Sequence, residues 1–165
     1  TIGDYGLSDI TPVYSSPEMS FQTVQRVAMD VITTKGSIIG NLQLYSNFMD
    51  GTFSERNEGV YLENMGGRTV ERGSVAGYHV GGHTVTVVGW GSRLCKVADS
   101  VPAVMVPFWL CRNSWGSRWG LGGFFRIAMY PFNVNCQFEV PVDVVDPTGK
   151  HLRVGGFVAF SVVSN

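Results

Sequence analysis

The stretch Tyr78–Gly91, YHVGGHTVTVVGWG, decides how the rest of the chain is read. From His83 onward it alternates Thr and Val at period two, the pattern of a strand with one face to a core and the other to solvent. His83 stands at the mouth of this run, behind Gly81 and Gly82, and a Gly-Trp-Gly closes it. A histidine in that place is either a hydrogen-bonded residue finishing a strand or an imidazole doing acid–base chemistry near neutral pH. What lies across from it decides between the two.

Two more strands follow, VPFWLCRNSWG (Val106–Gly116) and GGFFRIAMY (Gly122–Tyr130). SRLCKVADSVPAVM (Ser92–Met105) joins the first two, an unusually long hairpin connection. FEVPVDVV (Phe138–Val145) supplies a further strand, and HLRVGGFVAFSVVSN (His151–Asn165) is an apolar, β-prone tail. That tail is either an added strand of the same sheet or a segment that docks on another chain.

Upstream, Ser20 can cap a helix running to about Thr34. Val24, Val27, Ala28, Val31 and Ile32 follow the spacing that makes one apolar face, and Gly36 can stop the last turn. SIIGNLQLY (Ser37–Tyr45) reads as a strand with Ile39, Leu42 and Leu44 among smaller or polar residues. SNFMDG then turns the chain, GVYLEN is a short strand, and residues 64–79 form a Gly-rich loop. The fold class is therefore α+β: one helix packed on five or six short antiparallel strands in a small barrel or curled sheet.

The totals set limits. At 165 residues the chain is one domain, or half of a larger one, and its 21 glycines and seven prolines fit a turn-rich, largely β protein. Twelve basic against thirteen acidic residues give no electrostatic footprint for nucleic acid or an anionic membrane. The apolar runs are too short and proline-broken to span a bilayer. The chain opens on Thr1, which implies a processed product or a portion of a longer precursor. Three cysteines, Cys95, Cys111 and Cys136, leave open one disulfide with a leftover thiol or three reduced thiols. Their wide spacing argues against a structural zinc site, and His79 and His83 do not share a helical face as a zinc pair would. The Gly-rich NMGGR and GWGS lack the Lys-Ser/Thr of a phosphate loop.

Across the hairpin from His83 lies Asn113, in the Trp- and Gly-rich run CRNSWGSRWGLGGFFRI. An Asn at a strand end is often only a turn former. Near an imidazole it has a second use: its amide oxygen accepts from one ring nitrogen, fixing ring and tautomer so that the other nitrogen faces a nucleophile. Trp115 over that bond would keep water from competing for it. The plainer reading is that Trp115 and Trp119 fill the open end of the barrel.

GGHTVTVVGWG followed by PFWLCRNSWGSRWGLGGFFRI resembles the His and Asn segments of the papain-like cysteine peptidases, and looks most like their cathepsin B branch. VQRVAMDVITTKGSIIGNLQLYSNFMDGTFSERNEGVY upstream and NCQFEVPVDVV downstream are similar to the family's helix, following strand and terminal strand, so the likeness spans about Phe21 to Val145. It implies the right-hand, barrel half of a two-domain protease: an extended segment 1–20, a barrel domain 21–146 with a long hairpin insertion at 92–106, and an added tail 147–165. In that frame His83 is the general base or the imidazolium of an ion pair, Asn113 orients it, and Trp115 shields the contact and lines the leaving-group side. Gly81 and Gly82 keep the cleft open. Pro141 stands about where cathepsin B-like enzymes carry an acidic residue at the floor of a specificity pocket, so an active enzyme would favour apolar side chains there.

The family's nucleophile motif, a Gln followed by Cys-Trp on a helix, has no counterpart. No segment supplies a helix N-terminus to Cys111, and a buried inert thiol is its better reading. Cys136 matches a family disulfide position, but the usual partner upstream of the His is absent. The chain alone is thus expected to be inactive, its nucleophile coming from a Cys-bearing left-hand domain on a missing half or a partner chain, acting on peptide or protein substrate with no metal and no cofactor. The competing reading is a non-catalytic structural or interaction subunit of a larger assembly built on the protease barrel. By resemblance the protein would be lysosomal or secreted, or part of a large particle.

Overall fold

In the computed structural model the chain is described over residues 5–12, 20–49, 51, 59–62, 79–95, 102–130, 132, 138–139, 142–145 and 148–164. The segments carrying Cys136, Pro141 and most of the 64–79 loop lie outside these residues.

Helix α1, Phe21–Lys35, starts and stops where its caps dictate. Ser20 stays extended and its hydroxyl accepts from the Thr23 amide, while Gly36 turns left-handed at φ 87° and donates its N–H to the Ile32 carbonyl. Val24, Ala28 and Ile32 are buried, with Val27 and Val31 partly buried beside them. This face packs on β2 (Ile38–Tyr45), β4 (His79–Cys95) and β9 (Phe157–Ser164). A single-turn helix, α2 (Ser46–Met49), follows β2 where the sequence suggested only a turn. Phe48 drives it: the ring is fully buried among Tyr61, Trp115, Trp119 and Phe125, at centroid distances of 4.9–5.8 Å.

The main sheet has seven strands in the order β1-β9-β2-β4-β5-β6-β3, where β1 is Tyr5–Pro12, β5 Val104–Arg112, β6 Phe124–Ala128 and β3 Val60–Tyr61. It is not a closed barrel: the described strands run in an open order with β1 and β3 at its two ends. Nor is it purely antiparallel, because β3 runs parallel to β6. The tail completes the sheet, β9 pairing with both β1 and β2, and β7 (Val142–Val145) with β8 (His151–Val154) form a separate two-stranded ribbon. Among the described residues no helix is long and apolar enough to cross a membrane.

On β2 the buried positions are Ile38, Gly40, Leu42 and Leu44, so Ile39 belongs to the opposite face from the other two apolar residues expected with it. Gly40 is required by contact. A Cβ there would come within 2.5 Å of the Phe138 ring, which fills the space instead. Strand β4 begins at His79, four residues before His83, and pairs with β5 out to Cys95↔Val104. A bulge lies between Val87 and Gly89. Before it, Val85 and Val87 face the main core with Trp109 and Cys111. Beyond it, Gly91, Arg93 and Cys95 pair with Phe108, Val106 and Val104 and face a second cluster formed with Val60 and Ala128.

Candidate functional site

The register of β4 and β5 explains how two distant residues meet. Thr86 pairs with Arg112, so one step further Val85 stands opposite Asn113, and His83 follows two residues along the same face. Asn113 lies just past the end of β5, where its own amide donates to the Gly123 carbonyl and holds the turn onto β6. Its side chain is nearly closed off, 7% exposed. The Asn113 Oδ1 accepts the Ser114 amide at 2.8 Å and lies 2.9 Å from His83 Nε2. An amide oxygen only accepts, so this contact puts the ring proton on Nε2 and leaves Nδ1 bare in the neutral imidazole. Among the described residues Nδ1 has no hydrogen-bond partner, and the Asn113 Nδ2 is buried without one.

Trp115 covers the pair. Its ring centroid is 4.9 Å from that of His83 with the planes tilted by 32°. The indole is itself wedged at 5.1 Å edge-on against Trp119, whose Nε1 donates to the Met49 carbonyl, and at 5.8 Å against Phe48. The aromatic cluster around α2 therefore fills the end of the core and sets the lid at the same time. Gly81 and Gly82 pair with Leu44 and Gln43, and around a Cβ at Gly81 there would be open space. Gly81 shares the strand face of His83, whereas a Cβ on Gly82 would lie on the other face, 4.0 Å from Gln43 Nε2. Pro141 lies outside the described residues.

The thiols do not join this group. Cys111 shares the strand face of Asn113 but is wholly buried, with its Sγ 4.0 Å from the Trp109 carbonyl, and burial pushes its pKa well above the ordinary thiol value. It is a core thiol held protonated. Cys95 is buried in the second cluster beneath the hairpin. Among the described residues no group of three or more His, Cys, Asp or Glu side chains could hold a metal ion.

Glu139 escaped the sequence reading. It is fully buried, and Trp109 Nε1 (2.9 Å), the Tyr130 amide (2.7 Å) and Gln25 Nε2 (2.9 Å) all donate to its carboxylate. Gln25 also donates to the Tyr130 carbonyl. One acidic side chain thus joins α1, β5 and the turn after β6. Only its place beside the apolar Phe138 hinted at burial, and a buried acid needs partners that spacing along the chain does not show.

A family model for papain family cysteine proteases matches residues 15–144. Two curated relatives come from Invertebrate iridescent virus 6. "Probable cysteine proteinase 361L" is 34% identical over 180 residues, covering 92% of this chain and 33% of that protein. "Probable cysteine proteinase 224L" is 38% identical over 135 residues, covering 79% and 30%. The SERA5 proenzyme of Plasmodium falciparum shares the fold at a TM-score of 0.51 and 21% identity, over 87% of this chain and 28% of that one. The chain spans about a third of the length of the curated relatives it matches. With the match covering most of its length, the chain belongs to the papain family of cysteine proteases.

Proposed function

We propose that the chain supplies the base-bearing half of a cysteine-peptidase site. The observation that carries this reading is the imidazole of His83, tied through Nε2 to Asn113 under Trp115 with Nδ1 unpartnered. In that arrangement Nδ1 takes the proton of an incoming thiol, the resulting thiolate attacks the peptide carbonyl, and the imidazolium returns the proton to the leaving amine. Asn113 keeps the ring from turning as its charge changes, and Trp115 excludes water from the bond that holds it. Gly81 and Gly82, with Pro141, belong to the substrate cleft. The nucleophilic Cys comes from a further segment or a partner chain carrying the left-hand domain. The 361L and 224L relatives, named as probable cysteine proteinases, favour the same chemistry.

The test is labelling of the purified complex by an epoxysuccinyl thiol probe together with peptidase assay. The label should fall on the Cys-bearing partner and be lost in His83→Ala. A purified complex with no such partner and no peptidase activity at any pH refutes the proposal.

One observation favours the competing reading of an interaction subunit. On the β4–β5 hairpin Trp90, Leu94 and Met105 are exposed, and Leu94 and Met105 are a directly opposed pair at 56% and 58% exposure. On that reading Leu94→Asp disrupts assembly and leaves the His83–Asn113 contact intact.

A further inference from the structure

Where the chain turns from β5 to β6 it borders a cavity of about 360 Å³, lined among others by Arg112, Ser114, Gly116, Ser117, Gly122 and Phe124. Arg112 and Phe124 are a directly opposed pair, each one residue from a position buried in the main core, Cys111 and Phe125. Their side chains therefore leave the sheet on the face opposite the one that carries Val85, Asn113 and His83. Whatever fills this space does not reach the imidazole, and the inference below stands apart from the peptidase reading.

The backbone of the turn is rich in unused donors. Its carbonyls are engaged: Gly123 accepts the Asn113 amide at 2.9 Å, Trp119 accepts the Gly123 amide at 2.7 Å, and Gly116 accepts the Trp119 amide at 3.3 Å. The amides of Gly116, Ser117 and Gly122 donate to nothing among the described residues. Gly116 and Gly122 are left-handed, at φ 86° and 64°, and such turns can gather successive N–H groups into an anion-binding concavity. The two stretches lie against each other, since a Cβ on Gly123 would come within 3.2 Å of the Gly116 carbonyl oxygen and 3.6 Å of the Ser117 Cα.

The side chains point the same way. Arg112 is exposed, and neither its guanidinium nor the hydroxyls of Ser114 and Ser117 have a partner among the described residues. No acidic side chain lines the cavity. One fixed positive charge, two hydroxyls and three free amides thus border one space, from three separate stretches of chain. A planar carboxylate has two oxygens to offer them, and a phosphate or sulfate group has three.

We infer that this cavity binds a tetrahedral oxyanion, with Arg112 as its counter-charge and the amides of Gly116, Ser117 and Gly122 as its cradle. The half-buried Phe124 gives an apolar wall against which the organic part of a phosphate or sulfate ester can lie.

The test is a titration of the 15N-labelled full chain with inorganic phosphate, inorganic sulfate, phenyl phosphate and acetate, at constant ionic strength set with sodium chloride. Saturable shifts of the Gly116, Ser117 and Gly122 amides are expected, with phosphate and sulfate about fivefold tighter than acetate. Arg112→Gln, at an exposed position, should weaken phosphate about tenfold, and the double change Ser114→Ala with Ser117→Ala about threefold to tenfold. Arg26→Gln, exposed on α1, should leave binding unchanged. Phenyl phosphate binding more tightly than inorganic phosphate assigns the site to an ester; the reverse order assigns it to the free ion, and either order upholds the oxyanion. Acetate binding as tightly as phosphate, equal losses in Arg26→Gln and Arg112→Gln, shifts confined to His83, or no saturable shift at all overturns the inference.

Discussion

Replacing Glu139 by Ala should be the most destabilising single polar change in the described structure. The carboxylate is fully buried and receives Trp109 Nε1, the Tyr130 amide and Gln25 Nε2 at 2.7–2.9 Å. Truncation to Ala removes every acceptor at once. Each orphaned buried donor costs about 1–3 kcal/mol, and some relief comes from water entering the space, so the loss should be about 3–6 kcal/mol. Small domains have only about 5–15 kcal/mol in total. In urea, with a slope of about 2 kcal/mol per molar, the midpoint should fall by about 1.5–3 M. Glu139→Gln keeps one acceptor oxygen but turns an NH2 toward a donor, so it should lose roughly a third as much. Near-UV circular dichroism reports on Trp109 in the same samples. A midpoint shift below about 0.5 M for Glu139→Ala would mean that the three donors find other partners, and the network would not be a structural tie.

Asn113→Ala should free the ring of His83: 15N spectra of the neutral histidine should change from a single Nε2–H tautomer to a mixture, and an unchanged tautomer would count against the 2.9 Å contact. Phe48→Ala should cost about 3–5 kcal/mol and loosen Trp115, read as a red-shifted tryptophan emission and a lower urea midpoint. Gly40→Ala should cost about 1–3 kcal/mol, because its methyl meets the Phe138 ring. The raised pKa of Cys111 sets a pH dependence. The unfolded thiol ionises first, so the thiol's contribution to stability is complete below the ordinary value of 9.0 and is lost as pH rises from there toward the folded pKa. The slope should reach about 1.4 kcal/mol per pH unit, and denaturant midpoints of Cys111→Ala should not show it.

Sequence and structure part where contacts are distant. Helix α1 was legible because its period and both caps, Ser20 and Gly36, are local. The approach of His83 to Asn113 was legible for a related reason, since antiparallel neighbours on one face meet by register. On β2 the apolar set was read across two parities, and only the packing of Phe138 on Gly40 shows which face is the core. The helical turn at Phe48 has no period to reveal it, because four residues show none, and the surrounding rings come from three other parts of the chain. Glu139 gave no sign of its partners for the same reason. The tail left two outcomes open because a β-prone segment pairs equally well with its own sheet or another, and the edge offered by β2 is invisible without the fold.

The irregularity between Val87 and Gly89 bears on how this lineage can vary. It works as a clutch between two lengths of ribbon. On the near side the phase of the imidazole is fixed by β2 and by Asn113; on the far side the ribbon has its own phase, anchored by Cys95 and Val106. Matched pairs of residues added or deleted toward the tip would leave the near side as it is. Removal of Val88 alone would leave Val87↔Cys111 and Gly89↔Leu110 as neighbours in one regular ladder, since β5 alternates without a break, and would take out the local bend and added twist. Length at the tip can therefore change without moving the imidazole, whereas a change between His83 and Gly89 alters the twist of the ribbon that carries it.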